Sequence, residues 1–261
     1  MVSKVEVRES LKESIKKAVD EIGGFRKFIN NGDTVLLKPN FNTADPYPAS
    51  TDPKFLKAII ELVNEHSPKE VIVGDSCTFR LKTQKVIKDI NLCECESIQP
   101  PPKIISFNQG KWVKKEVPNG KYLKSVSVPE ILGNIDKLIL LPCLKTHGWA
   151  QFTGSLKLSV GFMKPIERLR LHMGHLQEKI AELNKIINPD LIIMDARKCF
   201  INRGPEEGDL REPNLILASI NRLEIDIEGV KIIQAYEGNS LSDIQAYNLP
   251  QIKWAREVGI N

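Results

Sequence analysis

No apolar run in this chain is long enough to cross a bilayer. The longest are short stretches such as Leu138 to Leu141, against the roughly 20 residues that a spanning helix needs. Met1 to Ser10 alternates charged and apolar residues and has no signal-peptide core. Cysteine is scarce: Cys77, Cys93, Cys95, Cys143 and Cys199 make an odd number with no Cys-x-x-Cys spacing. The close pair Cys93-Glu94-Cys95 lacks the further ligands of a zinc or iron–sulfur site, so an iron–sulfur cluster is not expected. Reduced thiols in a cytoplasm are. Charge of one sign is lacking too: 37 Lys and Arg stand against 33 Asp and Glu, and the excess of +4 is scattered along the chain. Neither nucleic acid nor a membrane is therefore expected as a partner.

What remains is an ordinary globular composition, 41% hydrophobic and 27% charged over 261 residues, which excludes disorder, collagen and coiled coil. That length buries a core without help from disulfides or a structural metal. Richness in Lys, Ile and Glu leans towards a thermophile.

The hydrophobic pattern alternates buried runs with amphipathic segments. Leu11, Ile15, Val19 and Ile22 share a helix face that Gly23-Gly24 stops. Thr34 to Leu37 reads as a buried strand ending at Lys38-Pro39-Asn40. Asp52-Pro53 opens a helix as cap and first-turn proline. Val71 to Val73, Lys137 to Leu141, Asp190 to Met194 and Leu215 to Ile220 read as further strands. Helices are expected near 155–162, 175–187, 222–235 and 249–258. The expected fold is α/β: a mostly parallel sheet with helices on both faces and a small antiparallel insertion around residues 103–128, in one domain spanning 1–261. Ligands of such sheets bind beyond the carboxyl ends of the strands. Those ends carry Lys38 and Asn40, Asp75 and Ser76, Lys145 and His147, and Asp195.

Three of the four histidines, His147, His172 and His175, fall close together, and histidine moves protons at neutral pH and binds metals. Thr153-Gly154-Ser155 before a helix suits an anion, with Lys157 adding charge in the first turn. His147 is accordingly expected to move a proton, kept neutral and basic by Lys157. Lys38, Asn40, Lys145, Thr153, Gly154 and Ser155 are expected to bind substrate. A divalent metal would fall to His172, His175, Asp75 and Asp195, although single acids at strand ends also cap turns. Arg203 to Asp209 reads as an exposed loop with the composition of a lid.

The ordered set Lys38-Pro39-Asn40, Thr51-Asp52-Pro53, Val71 to Ser76, Lys145-Thr146-His147, Thr153 to Lys157, His175, Pro189 to Asp195 and Gly204-Pro205 resembles the domain-of-unknown-function-362 family across nearly the whole chain. Many members carry a cysteine-rich ferredoxin-like module, and this sequence has none. The family's final Asp motif is represented by Asp226. The run His147, Gly154-Ser155-x-Lys157 and His172 or His175 is also similar to that of the nickel-dependent lactate racemase family. That likeness implies an acid/base role for His147, a nickel-pincer nucleotide on Lys157 and nickel on the last histidine; one of the racemase glycines is Ser155 here.

Together these features predict an enzyme, isomerase-like or otherwise acid–base, acting on a small carboxylate or phosphate. The alternative is a non-catalytic nucleotide-, anion- or metal-binding protein serving a redox partner. Oligomerisation is left open.

Overall fold

The computed structural model describes residues 1–260. Its strands are β1 (Val2–Glu6), β2 (Thr34–Lys38), β3 (Glu70–Asp75), β4 (Lys103–Ser106), β5 (Trp112–Glu116), β6 (Ser125–Pro129), β7 (Lys137–Leu140), β8 (Cys143–His147), β9 (Gln151–Thr153), β10 (Leu191–Phe200), β11 (Leu210–Arg211) and β12 (Leu215–Ser219). The helices are α1 (Leu11–Asp20), α2 (Pro53–Asn64), α3 (Thr83–Ile90), α4 (Cys93–Glu96), α5 (Ser155–Leu158), α6 (Pro165–Arg168), α7 (Leu176–Leu183), α8 (Arg222–Gln234) and α9 (Pro250–Glu257).

The main sheet runs β1-β12-β10-β7-β2-β3-β4. From β10 to β4 every neighbour is parallel, while β12 and β1 close the other edge antiparallel. The period-2 alternation of the strands sorts their side chains onto two faces. Leu36, Ile72, Leu138, Leu140, Ile192, Met194 and Leu217 pack under α5, α7, α8 and α9. Val35, Leu37, Val73, Ile139, Leu141, Ile193 and Ile216 pack under α1 and α2. This is the mostly parallel, doubly covered sheet that the sequence predicts. The antiparallel unit is the ribbon β5–β6. Lys103–Ser106, within the range expected for that unit, instead joins the main sheet as its parallel edge strand.

Local chemistry sets the boundaries. Asp52 caps α2, accepting from the Lys54 amide at 3.0 Å ahead of the first-turn Pro53. Asn221 caps α8 through the Glu224 amide at 2.9 Å.

The feature that shapes the site is the length of β10. Its first half pairs with β7 and its second half with β8, across Leu141-Pro142. Beyond that interruption β8 no longer has β2 beside it. Its other neighbour is the three-residue β9. The last bond joining the two regions runs from the Leu141 amide to the Lys38 carbonyl, 2.9 Å. The sheet therefore divides at its carboxyl edge, and a cleft opens between the ends of β2 and β3 and the β8–β9 extension.

Candidate functional site

The cleft has a volume of about 370 Å³. Lys38 and Asn40 enter it from the end of β2, Asp75 and Ser76 from β3, Lys145 and His147 from β8, Thr153 from β9 and Lys157 from α5. His172, Trp149, Phe79 and Glu206 stand around it. The carboxylates on its lining are Asp75 and Glu206, against four cations: Lys38, Lys145, Lys157 and Arg168.

Three of those cations are occupied. The Lys38 amine meets Asp75 Oδ1 at 2.8 Å and the Pro39 carbonyl at 2.6 Å, fully buried. Gly161 makes room for this pair, because a Cβ there would lie 2.6 Å from Lys38 Cε. Burial lowers the Lys38 pKa, opposed by Asp75. Lys145 donates to the carbonyls of Pro48 and Ala49, and burial brings it down to about 8. Arg168 spends its guanidinium on the carbonyls of Ser76, Cys77, Gly161 and Met163 and on the Ser76 hydroxyl. It thereby ties α6 to the end of β3. The sequence hides Arg168 inside the run Glu-Arg-Leu-Arg, which has the look of a solvated face.

Lys157 differs. Its amine has no hydrogen-bond or ion-pair partner among the described residues, and it opens into the cleft. Burial, then Arg168 and Lys145, push its pKa down to about 8. Thr153 is 7% exposed, and its hydroxyl also lacks a partner. A half-buried ammonium and a buried hydroxyl, both uncommitted, thus share one cavity, and a buried hydroxyl is otherwise almost always bonded.

His147 is held in a defined form. Its Nδ1 accepts from the amides of Trp149 (3.1 Å) and Ala150 (3.2 Å). Burial, then the charges of Lys157 and Lys145, drive its pKa down to about 2. The ring is neutral with its proton on Nε2. The expectation of a basic imidazole is corrected here: the lone pair is taken by two amides, so the free ring nitrogen is a donor.

The expected anion cradle at the start of α5 is corrected as well. The Ser155 and Leu156 amides donate to Asp226, at 2.6 and 3.0 Å, so a carboxylate of α8 already occupies that end. Gly154 fits because a Cβ would sit 2.3 Å from Asp226 Oδ1. Gly154 and Ser155 therefore face α8 and do not line the cleft.

The four residues expected to share a metal are not brought together. His172 borders the cleft, edge-on to Trp149. His175 follows Gly174 in a left-handed turn (φ +55°) that stacks it on Tyr122, off the cleft. Asp195 is filled by the Tyr47 hydroxyl (2.6 Å) and Arg197, and Asp75 by Lys38 and the amides of Phe41 and Ser76. Among the described residues no group of three or more His, Cys, Asp and Glu side chains could hold a metal ion. The residues named by the racemase likeness, His147, Lys157 and one of the two later histidines, do meet: His147, Lys157 and His172 line the same cleft, and His175 does not.

The family described as domain of unknown function (DUF362) matches residues 35–231. The thylakoid-associated protein sll1697 of Synechocystis sp. is 28% identical over 233 residues, covering 86% of this chain and 70% of the relative. A crystal structure of a Thermotoga maritima protein superposes with a TM-score of 0.51 at 11% identity, covering 79% of this chain and 54% of that one. The lactate racemase apoprotein of Thermoanaerobacterium thermosaccharolyticum gives 0.43 at 10% identity, with coverages of 88% and 57%. The chain thus spans little more than half the length of these two solved structures.

Proposed function

The chain belongs to the DUF362 family, and we propose that its cleft binds a small carboxylate or phosphate on which Lys157 performs acid–base chemistry. The observation that carries this reading is the unpartnered Lys157 ammonium beside the unpartnered Thr153 hydroxyl. Lys145 and Arg168, bonded to carbonyls rather than to carboxylates, add a positive field, which favours an anion in a site with a low dielectric. Lys157, at about 8, exchanges its proton near neutral pH, as a lysine desolvated among other cations does. His147 donates from Nε2–H to an oxygen that gains charge, the role open to a neutral imidazole. Asn40 and Thr153 orient the ligand. A cytoplasmic setting is supported by five cysteines with no disulfide among them.

The test is calorimetric titration with inorganic phosphate and small carboxylates. Lys157→Met should weaken binding roughly 10- to 100-fold, the scale of a charge-assisted hydrogen bond. Unchanged affinity would remove Lys157 from the site. A second reading, binding without turnover, is favoured by one observation: the uncommitted polar groups deep in the cleft are a cation and donors. Deuterium incorporation from solvent next to the carboxylate of a bound ligand, lost in Lys157→Met, would decide for the enzyme.

A further inference from the structure

We propose that the rim of the cleft docks on an anionic lipid surface. Eleven large hydrophobic side chains are exposed among the described residues; Phe79 and Trp149 line this one opening, and Leu81, Ile166, Leu169 and Met173 each lie within two positions of a residue that does, Phe79, Arg168 or His172. Trp149 and Met173 are 74% and 77% exposed. The segments that carry them are held side by side. Arg168 of α6 bonds the Ser76 and Cys77 carbonyls just before Phe79, and Trp149 meets His172 ring to ring.

The charges on the segments that carry these tips are mostly basic, with the exposed Glu206 standing on the cleft lining as an exception. Arg80, Lys82, Lys164 and Arg170 are exposed, Lys85 is exposed but paired with Asp89, and Arg80 lies over the Phe79 ring. No acidic residue is exposed in 76–85 or 164–177. Glu167, the one acid in the second segment, is half-buried and bonded to the Ser127 amide and hydroxyl.

Apolar tips on short turns, flanked by Lys and Arg beside an open cleft, do not make the flat, packed patch of a protein interface. They match an interface of headgroups and acyl chains, where aromatic and aliphatic tips insert and cations meet anionic lipid. Such docking is a surface contact, since no helix among the described residues is long and apolar enough to cross a membrane. It does not depend on the chemistry proposed for Lys157.

Cosedimentation with vesicles of phosphatidylcholine, alone or mixed with phosphatidylglycerol, tests it. The full chain should bind the anionic vesicles and release them as salt rises. Trp149 emission should shift to the blue on binding, a shift absent in Trp149→Phe. Replacing Lys164 and Arg170 with Gln should weaken binding roughly fivefold per charge. Ile166→Ser combined with Met173→Ser should abolish insertion while the far-ultraviolet spectrum stays that of the parent. Failure to bind anionic vesicles at low salt would overturn the proposal, as would binding undiminished in these variants. So would a concentration-dependent dimer that Ile166→Ser dissolves while vesicles are ignored, which would give the face to a second copy of the chain.

Discussion

The two walls of the cleft handle charge in opposite ways. On the β2–β3 wall, Lys38 and Asp75 are both buried and spent on each other, and the neighbouring Asp75 oxygens are filled by backbone amides. On the β8–β9 wall and the helix that follows, Lys145 leans on carbonyls, His147 is fixed as a neutral donor, and Lys157 and Thr153 have no partner. The first wall is finished within the chain; the second leaves an ammonium and a hydroxyl unbonded. Burial alone does not mark a functional lysine, because Lys38 is the more buried of the two. What marks Lys157 is a half-buried ammonium without a counter-charge.

Substitutions at the two lysines should pull this contrast apart. Lys38→Met strands the buried Asp75 and should cost about 3–5 kcal/mol in urea unfolding, enough to threaten folding. Lys157→Met should leave stability unchanged or raised while weakening phosphate binding roughly 10- to 100-fold, since it deletes a charge that nothing in the fold uses. If both variants lost stability equally, the contrast would collapse.

Asp226→Ala comes next. It orphans the Ser155 and Leu156 amides and should cost about 2–4 kcal/mol, with no change in any phosphate affinity that Lys157 provides. Burial raises the Asp226 pKa to about 6, against the pull of its two amides, from an ordinary 3.8. Between those values the folded state holds the proton longer than the unfolded chain. This contribution to stability is therefore present below about pH 4 and lost as pH rises to about 6, and Asp226→Asn should flatten that slope.

Proton equilibria give the third test. Lys157 and Lys145 titrate at about 8 in the fold against 10.5 outside it. Stability should rise as pH climbs from about 8 to 10.5, because the unfolded chain binds the protons there, and the rise should be smaller in Lys157→Met. Anion binding should fade through about pH 8. His147 should show no imidazole titration by nitrogen NMR between about pH 4 and pH 9, with its proton on Nε2 throughout.

The smallest effect belongs to Thr153→Val. It removes a hydroxyl that the fold leaves unbonded, so stability should hold within about 1 kcal/mol. Phosphate affinity should fall severalfold.

Much of the frame was open to reading in the chain. Buried runs separated by amphipathic helices give the sheet, and polar residues at strand ends mark its carboxyl edge. Lys38, Asn40, Asp75, Lys145, His147, Thr153 and Lys157 do line one cleft. The failures share a cause: sequence names a donor or acceptor without its partner. Ser155 looks like a free helix start until Asp226, 71 positions on, fills it. His175 looks equivalent to His172 until one left-handed residue turns it onto Tyr122. Arg168 carries no pattern that separates it from the exposed Arg170. The edge strand β1 sits in a decapeptide whose alternation of charged and apolar residues is the period of a strand.

The extension of β8 beside β10 has a consequence for motion. Past Leu141 the site no longer shares the hydrogen-bond ladder that joins β7 to β2, and only β10 and the short β9 hold β8 in register. The register between β8 and β10 is itself irregular there, between Asp195 and Phe200. Opening this overhang breaks few bonds and leaves the central strands intact, so its amides should exchange with solvent by a separate, lower-energy route than those of β2 and β7. A ligand gripping Lys157 and Thr153 would then slow exchange in β8 and β9 first. Such protection, residue by residue, would report occupancy of the cleft before the ligand itself has been identified.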